Sequence, residues 1–269
     1  MSWWGKLAGG AFGFMVGGPI GALLGAVLGH NLDKGLKGLS GDERFAPGDQ
    51  ERVQTAFFTT TFSVMGAIAK ADGRVSPDEI ALAKSVMVEM DLNDEMRRTA
   101  INLFNQGKEA DFPLDEVLEQ FRTECHRRNT LIQMFIEIQL QAAYADGTLD
   151  KAEEQLLLHI CKRLGIPEFA FRRLEKMIRA ERHFGGQAGG RRAEAKPSRP
   201  SLQDAYAMLN VPASASDAEV KKAYRRLLSQ HHPDKLVSKG LPEEMMKMAT
   251  QKTHEIRQAY ERVKEARGI

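Results

Sequence analysis

At 269 residues the chain can hold one large or two small domains plus extra segments. A net charge of +2 is close to balance, so global charge gives no case for a nucleic-acid partner and only local patches count. Cys125 and Cys161 are the only cysteines and neither sits in a CxxC pair, which argues against a disulfide scaffold or a zinc site and fits a reducing compartment.

Aromatic residues make up 7% of the chain, while Leu, Ala and Met are plentiful and β-branched runs are scarce. That balance predicts an all-α fold. Residues 7–29 carry no charged side chain. At 1.5 Å per residue a helix of that length spans the ~30 Å hydrocarbon layer. The expected arrangement is a short extracytoplasmic N-terminus (1–6), one transmembrane helix (7–30) and a juxtamembrane linker (31–50). Gly5, Gly9, Gly13, Gly17, Gly21, Gly25 and Gly29 recur at every fourth position. Such a row makes a shallow groove where two helices can cross closely in lipid, so Gly9, Gly13, Gly17, Gly21, Gly25 and Gly29 are expected to carry a homodimer contact. Pro19 would kink the span near its middle. A cleaved signal peptide would start with several basic residues; here only Lys6 precedes the apolar run, behind an aromatic pair, Trp3 and Trp4, placed as an interfacial anchor. Lys34, Lys37 and Arg44 follow the span, which places the N-terminus outside and the bulk of the chain in the cytoplasm.

Residues 51–182 read as about seven consecutive amphipathic helices, enough for one core. Leu114, Val117, Leu118, Phe121 and Cys125 form one apolar stripe, and Leu131, Met134, Phe135, Ile138 and Ala142 another. Within this region a phrase occurs twice: Ala69-Lys70-Ala71-Asp72-Gly73 with Ser76 and Glu79, then Ala143-Tyr144-Ala145-Asp146-Gly147 with Asp150 and Glu153. Each copy looks like the second half of a calcium loop, but Ile68, Lys70, Ala142 and Tyr144 stand where oxygen ligands would be needed, so a conventional calcium hand is excluded. Two readings remain. In one, Gly73 and Gly147 end a helix in a left-handed turn while Ser76 with Glu79, and Asp150 with Glu153, cap the next. In the other, the turns converge and Asp72, Glu79, Asp146 and Glu153 share a divalent cation. Paired turns of this kind inside an all-helical domain resemble the TerB-like (tellurite-resistance B) fold, a resemblance that implies suspected metal binding near the turns. No other cofactor is expected.

Residues 183–200 are rich in Gly, Pro and basic residues and lack apolar periodicity, so a flexible linker with a reach of roughly 20–25 Å is expected. The last segment, 201–269, divides into a short helix near Tyr206 and Leu209, a helix ending at about Gln230, the sequence His231-His232-Pro233-Asp234-Lys235, and a final helix to about Arg267. The second helix has an apolar face (Val220, Ala223, Tyr224, Leu227, Leu228) and a basic one (Lys221, Lys222, Arg225, Arg226). The two long helices must pair as an antiparallel hairpin with the His-Pro-Asp loop at one tip.

Taken together, D-x-Y-x-x-L-x-V, the basic helix with A-Y-R-R-L, H-H-P-D-K and E-I-R-Q-A-Y-E-R-V closely resemble the J-domain of the DnaJ family. The resemblance implies that His232, Pro233 and Asp234 stimulate the ATPase of a partner Hsp70 (DnaK, working with its nucleotide-exchange factor). It implies that Lys221, Lys222, Arg225, Arg226 and Lys235 dock on an acidic groove of that partner, and that Tyr206, Leu209, Ala223, Tyr224, Leu227, Ile256, Ala259 and Tyr260 hold the hairpin. Departures are His231, where many J-domains have Tyr, Thr253, where an aromatic residue is common, and a longer loop after Asp234. The client-binding regions of full DnaJ proteins are absent. An anchor, a TerB-like middle and a C-terminal J-domain in this order resemble membrane-anchored DnaJ-family proteins of the bacterial inner membrane, acting on unidentified membrane-proximal clients. A membrane scaffold whose TerB-like domain binds a regulator is the alternative; an enzyme is not expected, because no nucleophile or base accompanies the carboxylates.

Overall fold

The computed structural model describes residues 17–32, 49–71, 73, 77–90, 92–144, 147–184 and 201–268; they are helical, with no strand among them. A first helix, α1 (Gly18–Leu32), precedes the seven of the central domain: α2 (Asp49–Ala69), α3 (Pro77–Glu89), α4 (Asp94–Gly107), α5 (Leu114–Glu124), α6 (Asn129–Ala143), α7 (Lys151–Arg163) and α8 (Glu168–Phe184). Helix α2 is the hub, with α1, α4, α5, α6 and α7 packed around it. Its Phe57, Phe58 and Phe62 are fully buried. Phe57, Phe121 and Phe135 bring α2, α5 and α6 together at ring separations of 4.8 to 6.5 Å. Gly66 and Gly107 let α2 and α4 touch backbone to backbone. A Cβ on Gly66 would lie 2.0 Å from the Phe104 carbonyl oxygen, and one on Gly107 1.7 Å from that of Ser63. Both apolar stripes foreseen on α5 and α6 face this core.

The C-terminal module comprises α9 (Leu202–Met208), α10 (Asp217–Gln230), α11 (Pro233–Val237), a 3-10 turn (Glu243–Met245) and α12 (Met246–Arg267). Ser216 starts α10 with a capping box, its backbone N–H donating to Glu219 Oε2 at 2.7 Å. Helices α10 and α12 form the expected hairpin, with Tyr224 and Tyr260 stacked at 4.0 Å and 7°. Val220, Leu227, Ile256, Ala259 and Val263 are buried between them and α9. Arg267 closes the module, donating to Tyr206 Oη and to the Ala215 carbonyl, each at 2.7 Å.

Two regions are described only in part. Of the expected span 7–30, residues 7–16 lie outside the described ones; the described helix runs from Gly18, has 15 residues, and packs Ile20, Leu24 and Val27 against α2, α4 and α5. Gln120 fixes its start, accepting from the Ile20 backbone N–H and donating to the Gly17 carbonyl, both at 2.9 Å. Pro19 therefore sits in the first turn, where its missing N–H costs nothing, rather than kinking a span. Gly17 precedes the helix at φ +58, Gly21 is buried and Gly25 faces solvent; Gly9 and Gly13 lie outside the described residues. Among the described residues no helix is long and apolar enough to cross a membrane. At the expected linker, α8 continues through Phe184, and residues 185–200 lie outside the described ones. The C-terminal module does not hang free. Leu236, Leu241, Met245 and Ala249 are buried in the central domain's own core, and α9 packs along α8.

Candidate functional site

The hydrogen-bond ladder of α10 ends where the His231 N–H donates to the Leu227 carbonyl at 3.0 Å. The following proline bars His232 from helical geometry, and His232 adopts φ −64 and ψ 123. Pro233 then occupies the first position of α11, and the Leu236 N–H donates back to the His232 carbonyl at 3.0 Å. This local chemistry pushes the tripeptide outward. The side chain of His232 is 49% exposed and that of Asp234 85%, with Nδ1 and Oδ2 4.0 Å apart, too far for a hydrogen bond. The loop therefore offers both groups to a partner.

The five predicted docking cations are exposed. Lys221, Lys222, Arg225 and Arg226 occupy the outer face of α10, opposite the buried Val220, Ala223 and Leu227. Lys235 is on α11, its Nζ 2.6 Å from Ser229 Oγ. A cavity of about 430 Å³ separates α10 from the central domain, floored by Leu174, Met177 and Leu227 and rimmed by Arg173 and Arg226. Arg173 Nε donates across to Asn210 Oδ1 at 3.2 Å.

The acidic turns are not brought together by anything described. Asp72 and Asp146 lie outside the described residues, as does the side chain of Glu79. Glu153 is buried and completes a capping box, accepting from the Asp150 N–H at 3.0 Å, while Asp150 accepts from the Ala152 N–H at 2.7 Å. Gly73 and Gly147 have φ of +86 and +100, as helix-ending turns require. Cys125 and Cys161 are free and buried, and burial pushes both thiols up to about 12.

Sequence reasoning missed a second set of residues, directly behind the tripeptide. His231 is 2% exposed, and its Nε2 faces Glu137 Oε1 of α6 at 3.8 Å. Lys252 of α12 is ion-paired to Glu181 of α8 and lies 3.7 Å from Glu137 Oε2. Glu255, one turn on, neighbours Glu181 and accepts from Gln251 Nε2 at 2.7 Å. Burial alone would lower the Lys252 ammonium, yet Glu181 and Glu137 carry it up to about 12. Burial would raise Glu181, but the charge of Lys252 outweighs it and holds that carboxyl below its usual range. Burial, with the neighbouring Glu181, pushes Glu255 up to about 8, and burial lowers His231. One signal was available. Lys252 stands on the same helical face as Ala249, Ile256 and Ala259, and Glu137 interrupts an otherwise apolar run.

Three family models match the chain: Co-chaperone DjlA transmembrane domain over residues 1–40, Tellurite resistance protein TerB over 59–176, and DnaJ domain over 204–267. Among curated relatives, proteins named Co-chaperone protein DjlA are 46% identical in Coxiella burnetii, 44% in Photobacterium profundum and 43% in Salmonella typhimurium. The alignments cover 99 to 100% of this chain and of each relative. No solved structure matches.

Proposed function

Since the chain belongs to the DjlA family of co-chaperones, we propose that its exposed His232-Pro233-Asp234 loop stimulates ATP hydrolysis by a cytosolic Hsp70 of the DnaK type. The chain is a J-domain co-chaperone and its partner is an Hsp70. The observation that carries the finer reading is the presentation of the tripeptide. Two groups able to hydrogen-bond, His232 and Asp234, project from a loop fixed on both sides, next to a helix face bearing four cations. Such a face favours fast, salt-sensitive docking on an acidic partner surface. The loop needs no chemistry of its own. It biases the Hsp70 toward a hydrolysing arrangement, and the ATP is cleaved on the partner.

The protein is membrane-anchored and bacterial in kind, through the segment matching the DjlA transmembrane domain. In this reading the N-terminus faces outward, the helical domains face the cytoplasm, and the anchor pairs with that of a second copy. Anchoring then selects membrane-proximal clients for the Hsp70, which a nucleotide-exchange factor resets. Calorimetric titration with divalent metals decides whether Asp72, Glu79, Asp146 and Glu153 share a cation. The central reading is tested by steady-state ATP turnover of a purified bacterial Hsp70 with the full-length chain in lipid nanodiscs. Wild type raises turnover and His232→Gln does not; equal effects of the two would refute it.

A further inference from the structure

The tripeptide is flanked by two residues that belong to another domain's interior. His231, immediately before it, is buried against Glu137 of α6. Leu236, two residues after Asp234, is fully buried in the central core. Beyond it the contact continues. The Lys239 ammonium donates to Thr130 Oγ1 at 2.9 Å, and Gly240, at φ +101, leaves room for Val53, whose Cγ1 would lie 2.7 Å from an added Cβ. Leu241 and Met245 are fully buried in the same core. Only the tripeptide and Lys235 between these anchors face outward.

We propose that the central domain is a positioning platform for the tripeptide, and that the buried ionic cluster of Glu137, Glu181, His231, Lys252 and Glu255 sets the loop in its Hsp70-stimulating orientation. This rests on the Hsp70 reading given above. The cluster joins two central and two hairpin helices around one point. Glu137 comes from α6, Glu181 from α8, and Lys252 and Glu255 from α12, with His231 at the end of α10. Lys252 is the keystone, because its single positive charge meets carboxylates from both central helices. In a water-poor site such charges hold their geometry only while all partners are present. The cluster touches the tripeptide through His231 and the backbone, so its members are positioning residues. The cations of α10, on the opposite face of that helix, are not part of it.

A platform of this kind makes a specific kinetic demand. Hsp70 docking, carried by the α10 cations, should survive a disturbed cluster, while maximal stimulation should fall. The test measures Hsp70 ATP turnover against concentration of the full-length chain in nanodiscs, for wild type, Lys252→Met, Lys252→Arg, Glu137→Gln and His232→Gln. Lys252→Met and Glu137→Gln are expected to lower maximal stimulation by about 3- to 30-fold, with less than about a twofold change in the half-saturating concentration. Lys252→Arg, which keeps the charge, is expected to recover most of the loss. Should Lys252→Met not fold, Glu137→Gln, which preserves shape, carries the same reading. Wild-type maximal stimulation in Glu137→Gln, or equal impairment in Lys252→Arg and Lys252→Met, overturns the platform. If His232→Gln also stimulates fully, the Hsp70 reading itself fails, so the two failures are distinguishable.

Discussion

The two long helices of the J-domain are charged to a similar density and use part of that charge in opposite ways. Helix α10 shows Lys221, Lys222, Arg225 and Arg226 to solvent and buries only its apolar stripe. Helix α12 buries Lys252 and Glu255 along with Ala249 and Ile256, and its first half is seated on the central domain. A charge on α10 is available to a partner molecule. The Lys252 and Glu255 side chains of α12 are already committed inside the chain, where their loss leaves other charges stranded.

The contrast is sharpest when one charge is removed from each helix. Lys252→Met leaves Glu137 and Glu181 without their counter-charge and should cost about 3–5 kcal/mol in urea unfolding of the full chain. Arg225→Ala should stay within about 0.5 kcal/mol. Equal costs would erase the distinction. Leu241→Ala, which opens the packed seam without touching a charge, should cost about 2–4 kcal/mol by the same measurement.

A smaller effect is expected from pH. When α12 is seated, Glu255 keeps its proton up to about 8; when it is released, the carboxyl returns to its ordinary range near 4.5. The seated state thus holds an extra proton, an advantage present at low pH and lost as pH rises toward 8. His231 works in the other direction, since burial lowers it from 6.5 and the seated state weakens as pH falls below that value. Glu181 of α8 and Lys252 of α12 face both groups, and Glu137 of α6 faces His231. Between pH 6.5 and 8 His231, lowered by burial, keeps its neutral form while Glu255 loses its proton, so the domain contact should weaken by about 1–2 kcal/mol on that rise. Hydrogen exchange of residues 236–245 reads the change, and Glu255→Gln should flatten it. Ser216→Ala, which removes the α10 cap, should cost about 1 kcal/mol at any pH, a control confined to the exposed helix.

Much of this architecture was legible in the sequence. Helical periodicity marked the seven central helices, because one face of each meets a core. The tripeptide stood out because Pro233 must end α10 and start α11. The seating of one module on the other was not legible. Leu236, Leu241 and Met245 lie in a stretch too short and broken for periodicity, and Lys252 and Glu255 look solvated until α8 supplies Glu181. Beside the placement of Lys252 and Glu137, the replacement of a common Tyr by His231 was a further hint, since an imidazole there can face a carboxylate. The N-terminal segment is harder to read for a related reason. Its spacing of small and apolar residues suits a lipid contact, and Ile20, Leu24 and Val27 suit a protein groove equally well.

The most direct test of the account is whether the two modules move as one. Spin labels at Arg98→Cys on α4 and Arg257→Cys on α12, both exposed positions, report the separation of central domain and J-domain in the full-length chain in nanodiscs. A single narrow distance distribution at pH 6.5, broadened by Lys252→Met, is the predicted result. A broad distribution in the wild type, as a freely tethered J-domain would give, would contradict it.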